Sequence, residues 1–90
     1  MQAMKKKKRK KPSKDLEKLA KRIKTLRTEQ GYVNAEHFAF NHYFARSQYA
    51  RYEQGEDLRF TSLLKLTRAF GISLEQFFEG FEDETRMNRY

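Results

Sequence analysis

The densest group of side chains that could do chemistry is a run of cations near the N-terminus. Eight of the 20 Lys and Arg residues lie in residues 1–14, which contain no acid, whereas residues 15–90 hold 12 cations and 12 acids. The formal net charge of +8 therefore belongs to this N-terminal arm. Such a run can neutralise several phosphates of a nucleic acid, and that binding weakens steeply with salt. The cations of the arm are Lys5, Lys6, Lys7, Lys8, Arg9, Lys10, Lys11 and Lys14.

The arm has two other readings, as a nuclear-targeting patch or as a solubilising tail. Its like charges repel one another and nothing in it can be buried, so we expect residues 1–13 to be disordered when free. The sequence of the arm cannot read bases. We therefore expect it to contribute contacts to phosphate if the rest of the chain binds nucleic acid.

The remaining residues offer little that could bind a metal ion or catalyse a reaction. His37 and His42 are five positions apart, so they do not share one face of a helix, and the chain has no cysteine. We expect His42 to be an imidazole packed in the core rather than a metal ligand. No nucleophile–base set and no phosphate-binding loop is visible, so we expect neither an enzyme nor a cofactor.

The hydropathy of the chain bears on its location. No apolar run approaches the roughly 20 residues of a membrane-spanning helix, and no apolar stretch follows the basic arm as a signal peptide would require. We therefore expect a cytoplasmic protein, associated with the nucleoid if its source is bacterial.

Apolar residues at helical spacing predict five helices and no sheet. The first helix starts near Ser13 or Lys14 and stops at Gly31. Three further helices are predicted over residues 35–41, 46–54 and 60–70. A short fifth helix follows over residues 74–79. The inner face of the first helix is predicted as Leu16, Leu19, Ala20, Ile23 and Leu26, and that of the fourth as Phe60, Leu63, Leu64, Thr67 and Phe70.

Local signals mark where these helices begin and end. Asn34 suits the N-cap of the second helix, and Ser73 with Gln76 forms a capping box for the fifth. Residues 42–45 should form a tight turn between the second and third helices. These elements predict a basic arm over 1–13, one all-helical domain over 14–80, and a polar, acidic tail over 81–90.

Three segments of this domain resemble the Cro/phage-repressor helix-turn-helix family, which includes bacterial regulators of the xenobiotic-response-element type. They are Phe38-Ala39, the run RSQYARYEQG over 46–55, and the run LLKLTRAFGISL over 63–74. The family has an apolar residue and Ala in helix 2, apolar residues and Glu-x-Gly through helix 3, and a Leu-rich run ending in Gly-Val-Ser-Leu. The resemblance covers about residues 16–78 and implies a five-helix, lambda-repressor-like fold.

The resemblance also implies roles for particular residues. In the family, helix 3 (here about 46–54) lies in the major groove of double-stranded DNA. The candidates for base contacts are then Arg46, Ser47 and Arg51, followed by Gln48. The candidates for phosphate contacts are Asn34, Ala35, Gly55, Arg59 and the cations of the arm from Lys5 to Lys11.

The chain departs from the family at three positions near the predicted turn. Ala35 replaces the usual Gln, and Ala45 replaces the usual Ser or Thr at the start of helix 3. Tyr43 stands where the turn usually has Gly. Because a positive φ is costly for a bulky residue, we expect Asn41 or His42 to take that angle instead.

Glu53 and the phenylalanines near the C-terminus can each be interpreted as structural or as functional residues. We expect Glu53 to pair with a nearby arginine rather than to act in catalysis. Phe77, Phe78 and Phe81 could form a dimer surface or bind another protein, while Phe77 is predicted to complete the core and Phe81 is left open.

Two classes of function follow from these observations. The leading hypothesis is a sequence-specific, DNA-binding transcriptional regulator, such as a repressor, that acts as a homodimer. The alternative is a protein-interaction adaptor that uses the same fold and presents the phenylalanines, and an antitoxin would combine both roles. Nonspecific RNA binding through the arm is a weaker possibility.

Overall fold

The computed structural model describes residues 13–81, and within this range the chain forms helices without any β-strand. The predicted all-α class is therefore confirmed for this part of the chain. Residues 1–12 and 82–90, which hold nearly all of the predicted arm and tail, lie outside the described residues. None of the helices described is long and apolar enough to cross a membrane. The helices are α1 (Lys14–Glu29), α2 (Ala35–Asn41), α3 (Arg46–Glu53), α4 (Phe60–Phe70) and α5 (Leu74–Phe77).

Side-chain caps begin three of the five helices. The hydroxyl of Ser13 accepts a hydrogen bond from the Leu16 N–H, and the Asn34 side chain accepts one from the His37 N–H. Ser73 forms the predicted capping box at α5. By contrast, the N-cap residues of α3 and α4, Ala45 and Arg59, make no side-chain cap. These two helices depend more heavily on packing for their stability.

Each helix contributes one fully buried side chain to a single core. Phe38 of α2 lies at its centre, with ring centroids 5.0 Å from Tyr49 of α3 and 5.2 Å from Phe70 of α4. Ala39 is also fully buried, and its small side chain allows α2 and α3 to approach closely. The apolar cluster therefore joins all five helices. The largest fully buried side chains, one from each helix, are Ile23, Phe38, Tyr49, Leu66 and Phe77.

The inner face of α4 differs from the prediction in two residues. Phe60 was expected inside but is 61% exposed, whereas Leu66, which was not expected, is fully buried. Phe60 is the first residue of α4, and its Cα–Cβ bond is tilted toward the N-terminus, away from the packed turns. The prediction for α5 was also too long, because α5 ends at Phe77 and residues 78–80 form a turn.

The turn between α2 and α3 places a non-glycine residue in a left-handed conformation. Tyr43 has φ of 63°, so the expectation that Asn41 or His42 would take the positive φ is wrong. The Phe44 N–H donates to the Ala39 carbonyl at 2.9 Å, and the Tyr43 N–H donates to the Phe40 carbonyl at 3.4 Å.

These two bonds are the pair that closes a helix in the Schellman motif, which requires the left-handed residue directly after the C-cap. His42 is the C-cap of α2, so the angle falls on residue 43. Residues 31, 55 and 71 occupy the corresponding position after α1, α3 and α4, and all three are glycines with positive φ. Tyr43 is 85% exposed, so the two hydrogen bonds that close the turn, rather than packing of its side chain, hold it in this conformation.

The strain at Tyr43 can be measured with two substitutions. We expect Tyr43→Gly to raise the free energy of unfolding by up to about 1 kcal/mol, because glycine adopts this conformation without steric conflict. Tyr43→Val should lower it by about 1 kcal/mol or more, since a β-branched side chain tolerates positive φ poorly. Urea unfolding of the three proteins measures the difference. Equal stability of the Gly and Val variants would contradict the assigned backbone conformation.

Candidate nucleic-acid interface

α3 has one buried side and one exposed side. Tyr49 and Tyr52 are buried and pack the helix against its neighbours. The residues predicted to contact bases all lie on the exposed surface, as does Gln54 directly after the helix. Ala50 was expected to point outward but is half-buried. The sequence-predicted residues brought together on this surface are Arg46, Ser47, Gln48 and Arg51.

A buried ion pair holds this helix against α1. Arg27 of α1 donates from Nε and Nη2 to the two carboxylate oxygens of Glu53, at 2.8 and 2.9 Å. The side chains of Arg27 and Glu53 are 5% and 9% exposed. Arg27 also donates from Nη1 to the Tyr32 carbonyl at 2.9 Å, and the Tyr49 hydroxyl donates to Glu53 at 2.6 Å. The expected pairing of Glu53 with an arginine is thus confirmed.

The ionisation of this network favours all of these bonds at neutral pH. Burial by itself raises the pKa of Glu53, but the hydrogen bonds from Arg27 and Tyr49 outweigh it, and the net pKa lies below the ordinary value. Burial, reinforced by the bond to Glu53, raises the pKa of the Tyr49 hydroxyl well above its usual range. The Glu53 carboxylate also raises the pKa of Arg27. The carboxylate is therefore charged and the phenol keeps its proton.

Two further ion pairs lie on the exposed surface, at either end of α3. Arg46 Nη1 is 3.6 Å from a carboxylate oxygen of Glu36 in the first turn of α2. Arg51 Nε is 3.3 Å from a carboxylate oxygen of Glu56 in the loop that follows α3. Sequence reasoning missed both carboxylates, because the pairs join residues of different elements and have no helical spacing.

The candidates for phosphate contacts lie in different environments. Asn34 is exposed and caps α2, and Ala35 behind it is half-buried. Gly55 is buried, and its N–H already donates to the Tyr52 carbonyl at 3.4 Å. Arg59 is exposed and lines a groove that it shares with Gln48. The predicted contacts of Lys5, Lys6, Lys7, Lys8, Arg9, Lys10 and Lys11 lie outside the described residues.

A second basic surface was not assigned from the sequence. Four lysines of α1 line a groove together with Gln54 and Gly55, at the end of α3. Three of them follow one another at i, i+4 and i+7, so the sequence carried a signal for a shared helix face. These cations lie beside the end of α3, in a groove that Glu17 and Glu53 also line. They are Lys14, Lys18, Lys21 and Lys24.

The histidines lie beside aromatic rings. The His42 ring centroid is 4.5 Å from that of Phe38, and the ring is half-buried, as expected of a packed imidazole. His37 contacts the Tyr32 ring edge-on at 5.3 Å. Among residues 13–81, no three His, Cys, Asp or Glu side chains are grouped so that they could hold a metal ion.

The phenylalanines at the end of α5 divide between core and surface. Phe77 is fully buried, which confirms its predicted core role and removes it from any exposed partner surface. Phe78 is 37% exposed, and its ring lies 4.9 Å from Phe77 and 5.2 Å from Phe81. Of these three phenylalanines, Phe78 and the half-buried Phe81 therefore remain accessible to another molecule.

Comparison of the chain with protein-family models, with curated proteins and with solved structures gives no match.

Removing the Glu53 charge should destabilise the fold strongly at neutral pH. Glu53→Gln leaves the Arg27 guanidinium buried without its counter-ion, and breaking such a pair costs about 3–5 kcal/mol. The effect should shrink in acid. Because the folded pKa of Glu53 is lowered, its stabilisation is complete above the ordinary value of 4.5 and is lost as pH falls through the folded pKa.

Urea unfolding of both proteins at neutral pH and at about pH 3 measures this dependence. Glu29→Gln, at an exposed carboxylate at the end of α1, is the control and should change stability by no more than about 0.5 kcal/mol. A loss for Glu53→Gln that is equally large at both pH values would contradict the assigned ionisation.

Proposed function

We propose that the protein is a sequence-specific, DNA-binding transcriptional regulator of the Cro/phage-repressor type, with α2 and α3 as its helix-turn-helix pair. The observation that carries the proposal is the solvent-facing side of α3. This side presents Arg46, Ser47, Gln48 and Arg51, while the opposite side is held by buried tyrosines and by the ion pair of Arg27 with Glu53.

The dimensions and side-chain chemistry of α3 suit the major groove. An α-helix with its side chains is about 10–12 Å across, and the major groove is about 12 Å wide and admits such a helix. Arg51 can donate two hydrogen bonds to guanine, and Gln48 can pair in the same way with adenine. Ser47 can bond to several bases, and Arg46 stands at the N-terminal end of the helix, where family members contact bases.

Cations around α3 would supply the contacts to phosphate. Arg59 shares a groove with Gln48 on one side of the helix, and the α1 lysines line the groove at its end. Phosphate contacts of this kind set the register of a protein on the duplex, whereas base contacts determine the sequence. The basic N-terminal arm would add affinity without sequence preference.

The proposed DNA-binding form is a homodimer. A two-fold dimer would place two α3 helices on half-sites about 34 Å apart, or a multiple of that distance. The adaptor alternative loses support, because Phe77, one of the three phenylalanines it relies on, is fully buried.

Selection of bound DNA from a random duplex pool by the full chain tests the proposal. We expect a shared sequence to emerge, repeated as two half-sites if the protein binds as a dimer. Recovery of duplexes with no common sequence, together with protein partners that survive nuclease treatment, would overturn the proposal in favour of the adaptor.

The role of Arg51 can be separated from its charge. Arg51→Lys keeps the charge but loses the planar fork, so it should bind random duplex as the unaltered protein does. Its binding to the selected sequence should weaken by about 5- to 150-fold, which corresponds to about 1–3 kcal/mol for a bidentate base contact. Fluorescence anisotropy titrations measure both values. Arg68→Lys, on the exposed surface of α4, is the control, and equal losses in the two variants would contradict the assigned role.

Deletion of residues 1–11 tests the arm. We expect affinity for all duplexes to fall and the dependence of binding on salt to become shallower, because fewer counterions are released. The selected sequence should stay the same, since the arm has no means of reading bases. Titrations over a series of NaCl concentrations check the first two effects, and a changed preferred sequence would count against the assignment.

A further inference from the structure

The two arginines proposed to read bases are both paired with carboxylates in the free protein. A carboxylate oxygen of Glu36 in α2 lies 3.6 Å from Arg46, and one of Glu56 in the following loop lies 3.3 Å from Arg51. The four side chains are between 47% and 72% exposed. Ion pairs this exposed contribute only about 0–1 kcal/mol to stability, so the pairs themselves add little to the fold. Glu36 also lies in the first turn of α2, where the helix dipole favours a carboxylate, whereas Glu56 lies in a loop.

The position of the carboxylate on each guanidinium decides which donors remain free. The Glu56 carboxylate comes closest to Arg51 at Nε, so the two terminal amino groups of Arg51 are the donors best placed for another partner. The Glu36 carboxylate comes closest to Arg46 at Nη1. The paired Arg51 can therefore still offer two parallel N–H groups to the O6 and N7 acceptors of guanine. Holding the side chain in place also reduces the entropy lost when it binds.

The carboxylates act differently on phosphates and on bases. A guanine edge presents neutral acceptors, whereas a phosphate carries a full negative charge that a nearby carboxylate repels. The arginine–carboxylate distances of 3.3 and 3.6 Å are well within the Debye length of about 8 Å at physiological salt. A phosphate bound to either guanidinium would therefore lie within about one Debye length of the carboxylate, so salt would screen their repulsion only in part.

We propose that Glu36 and Glu56 are specificity-determining residues, which position Arg46 and Arg51 for base edges and oppose their use on phosphates. The proposal rests on the proposed function. It explains why a chain with such a basic arm carries two acids at the surface it would offer to DNA. The arm and the α1 lysines would attract any duplex, and the two carboxylates would keep the arginines from adding to that unselective attraction.

The experiment compares Glu36→Gln and Glu56→Gln with the unaltered full chain. Both variants keep the size of the side chain and remove only its charge. Binding to the selected duplex and to a random-sequence duplex is measured by fluorescence anisotropy over a series of NaCl concentrations. Glu29→Gln removes the same charge from an exposed carboxylate at the end of α1, outside both ion pairs, and serves as the control.

We expect each variant to bind random duplex about 3- to 10-fold more tightly than the unaltered chain, and this gain to shrink as salt rises. Affinity for the selected duplex should stay the same or fall, so the ratio of the two affinities should drop by about threefold or more. The control should change binding to random duplex by less than about twofold. Glu56 lies in a loop, so its variant tests the proposal even if the Glu36 variant weakens α2.

Two results would overturn the inference while the proposed function stands. One is that both variants behave like Glu29→Gln, which would mean that only net charge matters. The other is an equal loss of affinity for both duplexes, which would mean that the carboxylates only support the fold. If the unaltered chain selects no sequence, the proposed function itself fails and the inference fails with it.

Discussion

The buried pair of Arg27 and Glu53 is the interaction on which the exposed helix depends. α3 has eight residues and no side-chain cap, and an isolated helix shorter than about 12–15 residues is marginal in water. Its conformation must therefore come from tertiary contacts. Bidentate hydrogen bonds, a third bond to the Tyr32 carbonyl and the Tyr49 hydroxyl satisfy most of the donors and acceptors of the pair. This makes the burial of two charges tolerable.

Arg27 of this pair differs in its environment from the two arginines on the exposed side of α3. Arg27 is buried and uses its donors within the fold, whereas Arg46 and Arg51 are exposed and lie 3.6 and 3.3 Å from surface carboxylates. The buried guanidinium fixes the position of α3, and the exposed ones are the proposed base contacts. All three arginines carry the same charge, so burial and the number of N–H donors engaged within the fold are what distinguish them.

Local signals in the sequence were enough to predict the helices and much of the core. Helical spacing and capping residues gave the order of the five helices and the ranges of α2 and α4, and Phe77 was placed correctly in the core. Phe60 and Leu66 were exchanged, because periodicity cannot tell how far the packed face extends at a helix end. Tyr43 was misjudged because steric preference was weighed without the two hydrogen bonds that require a left-handed residue there. The lysine groove and the paired carboxylates depend on contacts between elements, which spacing along the chain does not reveal.

The shared core has a consequence for how α3 can respond to another molecule. Because all five helices contribute a fully buried side chain to one cluster, a tilt of α3 would open voids beside α1 and α2 at once, and close-packed interiors resist such changes. The protein would therefore approach a double helix as a stiff body. Any mismatch in shape would have to be taken up by bending or groove widening in the nucleic acid, and base steps that deform easily would be favoured at positions the protein never touches.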